Sequence, residues 1–135
     1  MGRHVLVVLA YVAATFATQA TSHFFINAEH YAAVAYIKKD PIFALGFTSM
    51  LVQGGVFAWL FARASGIPRS IGGAVGFSWA VGAVLVSYIA LAEAAKYAVP
   101  SVPQWIAIEM ATGFVQFTVF GILLGLIYRP SPSRN

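Results

Sequence analysis

The chain has 135 residues, of which 60% are hydrophobic and 9% charged, with a mean hydropathy of +0.81. A water-soluble domain of this length cannot hide so much apolar surface in one core, so lipid is the expected solvent, with room for a single domain. Cysteine is absent, which excludes disulfides, thiolate metal sites and cysteine nucleophiles, and the net charge of +4 comes from scattered Arg and Lys, which gives no support to a nucleic-acid partner.

Four apolar segments follow in chain order, at about residues 5–27, 41–62, 71–97 and 104–128. Each has the ~20 residues that a helix needs to cross ~30 Å of hydrocarbon. The head "MGRHVLVVLAYVAATFATQA" also has the layout of a secretory signal peptide, and cleavage after Ala20 would leave three helices. We read it as the first transmembrane helix. The stretch 28–40, "AEHYAAVAYIKKD", either prolongs that helix or lies along the interface with its tyrosines at headgroup level. Pro41 suits the first turn of the second helix, while "RASGIPRS" and "PSVP" punctuate the later breaks. The tail 129–135, "RPSPSRN", is polar, basic and expected to be mobile.

The expected fold is therefore all-α: an up-down, antiparallel bundle of four transmembrane helices. Four crossings put both termini on one side with Arg3, Arg63, Arg69, Arg129 and Arg134, against Lys38, Lys39 and Lys96 on the other. Five against three favours both termini in the cytoplasm. All four acids, Glu29, Asp40, Glu93 and Glu109, then fall at the outer end.

Polar side chains converge on the same end. Gln19, His23 and Asn27 recur every four residues on the first helix, so they share a face that Thr15 and Ser22 extend. Glu93 ends the third helix beside Lys96, Glu109 opens the fourth, Gln116 follows seven residues later, and Gln53 sits mid-way along the second. A carboxylate facing lipid costs ~2.5–3.5 kcal/mol at a helix centre and less near the ends, so these groups should point into the bundle. The candidate ligand-binding set is His23, Asn27, Gln53, Glu93, Lys96, Glu109 and Gln116. A divalent metal on His23, Glu93 and Glu109 is a further option, without a local motif such as H-E-x-x-H to support it. A proton relay or acid/base pair is another. The plain alternative is that these groups bond one another, with Lys96 as counter-ion, and fix helix register. No cofactor is expected: His4, His23 and His30 all lie in or beside the first segment, so facing helices offer no pair of haem imidazoles.

Small residues form two stripes, Gly72–Gly76–Ala80 on the third helix and Gly121–Gly125 on the fourth, and such stripes let helices approach closely in lipid. "LVQGGVF" at 51–57 is not a nucleotide loop, because it sits mid-helix with no preceding strand or nearby Lys-Ser/Thr. Tyr31, Tyr36, Tyr97 and Trp105 are expected as anchors at the outer interface, Trp59 and Tyr128 at the inner one, and Trp79 deeper with a bonded indole N–H.

"KKDPIFALGFTSMLVQG", "AEAAK", the Trp105–Glu109 spacing and "VQFTVFGILLGLIY" together resemble an uncharacterised family of small bacterial four-helix integral membrane proteins. The resemblance implies the four-helix layout and a bacterial inner membrane, and it draws attention to the positions of His23, Gln53, Glu93, Lys96 and Glu109. It brings no activity. Small multidrug transporters are similar in size but rely on an acid within the first helix, which this chain lacks. Membrane glutathione-transferase relatives carry a polar second helix, whereas here only Gln53 interrupts the apolar span.

Three functions remain. The first is a carrier or binding protein whose outer-leaflet pocket takes a small amphiphile, a proton or a cation. The second is an accessory subunit, self-associating or held in a larger membrane complex through its glycine stripes. The third is an intramembrane acid/base enzyme, for which no nucleophile or cofactor motif is present.

Overall fold

The computed structural model describes residues 2–129, which are helical between their connections, with no strand among them. Helix α1 (Gly2–Thr21) runs on through a π-helical turn, Ser22–Ile26, into the short α2 (Ala28–Ala32). After a non-helical strap come α3 (Phe43–Arg63) and α4 (Ile71–Ser87); a second π-helical turn, Tyr88–Glu93, leads into α5 (Ala94–Lys96), and α6 (Val102–Tyr128) closes the chain. Four stretches are long and apolar enough to cross a membrane: Gly2–Ile26, Phe43–Arg63, Ile71–Lys96 and Val102–Tyr128. They match the expected segments to within a few residues. The polar tail, beyond Arg129, lies outside the described residues.

Local chemistry explains the helix ends. The Ser70 and Ser101 hydroxyls accept the backbone N–H of Gly73 at 3.2 Å and of Gln104 at 3.4 Å, capping α4 and α6. Arg69 spans the end of α3, donating to the carbonyls of Phe61, Ala62 and Ala64, where the helix dipole favours a cation. Pro41 is not in the first turn of α3 as expected. Phe43 N–H bonds Pro41 O at 3.0 Å around Ile42 at φ −82° and ψ 84°, an inverse γ-turn that delays the helix.

The packing order is α3–α1–α6–α4, with α1 and α6 in the middle. Glycines set the α4–α6 distance. A Cβ on Gly121 would lie 2.7 Å from Val75 Cα, and one on Gly125 would lie 2.6 Å from Ile71 Cα, so both backbones touch where only hydrogen fits. Gly82 of α4 receives the Phe117 ring and Gly113 of α6 receives Val86. The expected stripe on Gly121 and Gly125 is thus a packing stripe. The stripe on α4 is not the expected one: Ala74, Ser78 and Gly82 are buried, whereas Gly72 and Gly76 have open space around them and Ala80 is exposed.

Helix α3 is held differently. Its buried residues, Gly54, Phe57, Ala58 and Phe61, all lie in its second half. There Gly54 lets α3 close on Val8 and Tyr11, and Phe57 stacks on Tyr11 with ring centroids 5.1 Å apart. Phe57 and Phe61 also meet Phe77 of α4, joining an aromatic core with Phe117 and Phe120. Residues 41–49, by contrast, are all exposed. The helices therefore close at the Phe61 end and part at the Phe43 end.

The exterior is apolar: Val5, Leu9, Phe25, Leu45, Val84, Phe114 and Leu126 are all exposed, as expected for a surface whose solvent is hydrocarbon. Trp79, expected to bond its indole N–H, donates it to Thr118 Oγ1 at 3.0 Å.

The glycine contacts make a differential prediction. Gly121→Leu forces side-chain atoms into a neighbouring backbone and should destabilise by ~1–3 kcal/mol, the usual cost of overpacking. Gly72→Leu projects into open space and should shift stability by less than ~0.5 kcal/mol. Detergent unfolding curves of the two variants check this, and equal losses would contradict the packing.

Candidate binding cleft

Where α3 and α4 part, a cleft of about 1590 Å³ opens between the first half of α3, the 33–42 strap and the far end of α4. Its walls are hydrocarbon, including Phe16, Phe24, Ile42, Phe43, Leu45, Met50, Leu85 and Ile89. Its floor is polar and comes from α1 and α6: Tyr11, Thr15, Gln19, His23 and Gln116, with Gln53 reaching across from α3.

The floor is a connected network. Gln19 Nε2 donates to Gln116 Oε1 at 2.8 Å, and Gln116 Nε2 donates to Thr15 Oγ1 at 3.1 Å, so one amide ties α1 to α6 twice. Tyr11 OH donates to Gln53 Oε1, and Gln53 Nε2 donates to Ser49 Oγ at 3.0 Å, which ties α3 to α1. Gln53 and Gln116 therefore use donor and acceptor, while Gln19 is bonded through its donor.

Beyond the floor the network continues toward α2. Ser22 Oγ and Thr112 Oγ1 are 3.1 Å apart, and Asn27 Nδ2 donates to Ser22 Oγ at 3.0 Å. His23 Nδ1 bonds Gln19 O at 3.0 Å. A carbonyl oxygen only accepts, so Nδ1 carries the hydrogen and Nε2 of the neutral ring presents a lone pair. The ring stacks on Tyr31, centroids 3.7 Å apart and 11° from parallel, and Tyr31 OH donates to Glu109 Oε1 at 2.7 Å. Burial, then its bond to Glu109, pushes the Tyr31 phenol above its ordinary pKa of 10.0, so it remains a donor at any physiological pH.

The expected site residues divide into two groups. His23, Gln53, Glu93 and Gln116 line the cleft. Glu109, 6% exposed, does not; it meets His23 only through Tyr31. Asn27 also leaves the cleft-facing stripe. The π-helical turn adds a residue between it and His23, and Asn27 bonds Ser22, five positions back, with both backbone N–H and side chain. Lys96 lies 5.0 Å over the Tyr88 ring instead of reaching into the cleft. The metal set is corrected: among the described residues no three His, Asp or Glu side chains are grouped to hold an ion. His23 Nδ1 is engaged by Gln19 and Glu109 by Tyr31, so neither is turned toward a shared centre.

Three further expectations change at this end. Tyr31 and Trp105, expected at the interface, are buried at 5% and 3% exposure, and Trp105 Nε1 donates to Ile89 O at 3.1 Å inside the second π turn. His30, expected at the wet boundary, is buried edge-on to Tyr31 with its Nε2 unpartnered. Tyr11, Tyr31 and Thr112 are the functional neighbours that sequence reasoning passed over. A signal for Thr112 was present, since Trp105, Glu109, Thr112 and Gln116 mark one buried face at helical spacing. No family model, curated protein or solved structure matches the chain.

Hydrogen bonds across helices in lipid average ~0.6 kcal/mol and reach ~1.7. Gln116→Leu breaks two and orphans Gln19, so it should cost about 1–2 kcal/mol. The double variant Gln19→Leu/Gln116→Leu should lose less than the sum of the singles, because no amide is left unpaired. A double-mutant cycle on detergent unfolding free energies measures this directly, and strict additivity would show that the bond contributes nothing.

Proposed function

We propose that this protein is a multi-pass membrane protein that holds one amphiphilic molecule in the cleft between α3 and α4. The observation that carries the reading is a large cavity with hydrocarbon walls whose polar floor is already paired within the chain. At about 1590 Å³ it exceeds the roughly 300–1,000 Å³ of ordinary small-molecule pockets, a size suited to a lipid-like ligand and far beyond a proton or bare cation. Most of the floor is tied within the chain beneath apolar chains lying over it, while His23 Nε2 and Gln19 Oε1 offer acceptors to a ligand hydroxyl. The two π-helical turns, Ser22–Ile26 and Tyr88–Glu93, both flank this end, and such turns recur at functional sites. We assign the cleft end to the outer leaflet, with antiparallel helices and cytoplasmic termini, on the arginine bias of the opposite end, and the membrane to a bacterial inner membrane, as the family resemblance implies.

Native mass spectrometry of the detergent-purified chain tests the reading. The wild type should retain one lipid-sized adduct. Gly46→Phe, at a cleft-lining position with no atom near its Cβ direction, should remove the adduct without lowering the melting temperature. Loss of stability together with unchanged adduct would refute it.

A second reading, a subunit of a homo-oligomer or larger complex, is favoured by Gly72, Gly76 and Ala80, which no helix among the described residues covers. Because the chain is free of cysteine, Ala80→Cys reports on it cleanly. Rapid disulfide dimerisation in membranes supports a self-interface through this stripe; none at all, with an outward Val84→Cys behaving identically, removes it.

A further inference from the structure

We infer that the molecule in the cleft is an anionic phospholipid, its phosphate held at the mouth by Lys38 and Lys39. This rests on the amphiphile reading and adds the headgroup. Lys38 and Lys39 both line the cleft, on the strap that crosses its open end just before α3. Among the described residues they are its only Lys or Arg lining residues, and both remain exposed, so their ammonium groups stay hydrated and charged at the point where hydrocarbon gives way to water. Glu93 on the opposite wall is the single carboxylate among the described lining residues, and Asp40, next along the strap, is exposed outside the lining. The lining itself thus carries two cations against one anion, an excess of one positive charge that a singly anionic headgroup cancels and a zwitterionic one does not. The same two lysines run against the arginine bias of the chain, which concentrates basic residues at the other end. A headgroup at the mouth would direct its chains along the exposed first half of α3, over Phe43 and Leu45, toward Leu85 and Ile89 of the facing wall. Lys96 lies over the lining residue Tyr88 but is itself outside the lining and off the strap, so it serves as a control for a nearby cation that does not reach the mouth.

The experiment is lipid competition on the full chain. The protein is reconstituted in nanodiscs of equimolar phosphatidylglycerol, phosphatidylethanolamine and phosphatidylcholine with matched chains, released into detergent, and the retained lipid is identified by native mass spectrometry. Phosphatidylglycerol should be enriched roughly tenfold over either zwitterion, the scale set by two lysines near a phosphate. Lys38→Gln/Lys39→Gln should keep one bound lipid and lose most of the enrichment, Lys96→Gln should leave it intact, and Glu93→Gln should raise it. A retained lipid with no preference in the wild type, a preference for phosphatidylethanolamine, or enrichment unchanged in the double lysine variant overturns the headgroup assignment alone. No retained lipid of any kind overturns it together with the cleft reading.

Discussion

Hydrocarbon offers no hydrogen-bond partner, so a polar side chain inside this chain is costly unless another answers it, and Gln116 is where that constraint bears hardest. Its side chain accepts from Gln19 and donates to Thr15, fixing the rotation of α1 against α6 with both functional atoms. Turning either helix by one residue would leave the amides facing lipid, where a buried polar group without a partner is costly. The register of the central pair is therefore set by polarity, even though apolar contacts supply most of the buried surface. From that pair the rest is hung: α3 on the Tyr11–Gln53 bond and the Tyr11–Phe57 stack, α4 on the glycine face of α6.

The two attachments differ in kind, and the cleft is their consequence. Gly82, Gly113, Gly121 and Gly125 distribute close approach along much of α6, so α4 is seized over its length. Helix α3 has one comparable point, Gly54, with its large aromatics below it. In the first half of α3 the cleft-lining residues alternate in size, Phe43, Leu45 and Met50 with Gly46 and Ser49, and a Cβ on Gly46 would meet nothing within 4 Å. A bundle pinned along one side and at one end of the other must open at the remaining corner. The void is produced by where bulk is placed, with Phe57, Phe61 and Phe77 filling one end and no equivalent at the other.

Much of this was legible in the sequence because it depends on local quantities. Hydropathy over twenty residues finds the spans, and four-residue spacing finds Gln19 and His23 on one face. What escaped depends on partners. Glycine periodicity marks both Gly72–Gly76–Ala80 and the neighbouring Ala74–Ser78–Gly82 face of α4, and only the position of α6 decides between them. Asn27 was misplaced because helical phase was extrapolated through a turn that is π-helical, a change that composition does not announce. Residue type alone puts Tyr31 and Trp105 at the interface, yet the turn at α2 brings Tyr31 to Glu109 and the first turn of α6 brings Trp105 to Ile89 O, so each finds an acceptor inside. The strap lysines entered the reading only as charges to be counted, since nothing local reveals that residues 38 and 39 overhang a void.

The two glutamates that appear equivalent in the sequence have separate work. Glu109 is buried, takes the Tyr31 hydroxyl, and so pins the α2 turn onto α6; its removal would release the tyrosine against which His23 is stacked. Glu93 faces the cleft from within a π-helical turn, half-buried and free of that network. One carboxylate thus shapes the wall that the other helps to line. The order of dependence runs from Glu109 through Tyr31 to the His23 ring, and from there to whatever occupies the space above it. A ligand that displaces His23 must work against the Tyr31 stack and, behind it, a bond anchored on α6, so the floor is stiff where it is polar. The opposing α3 wall is exposed over residues 43–49 and backed there by the Phe47–Phe16 stack alone among the aromatic contacts of the described residues. Accommodation of ligands of different girth therefore falls to α3 and the strap, while α1 and α6 keep their register.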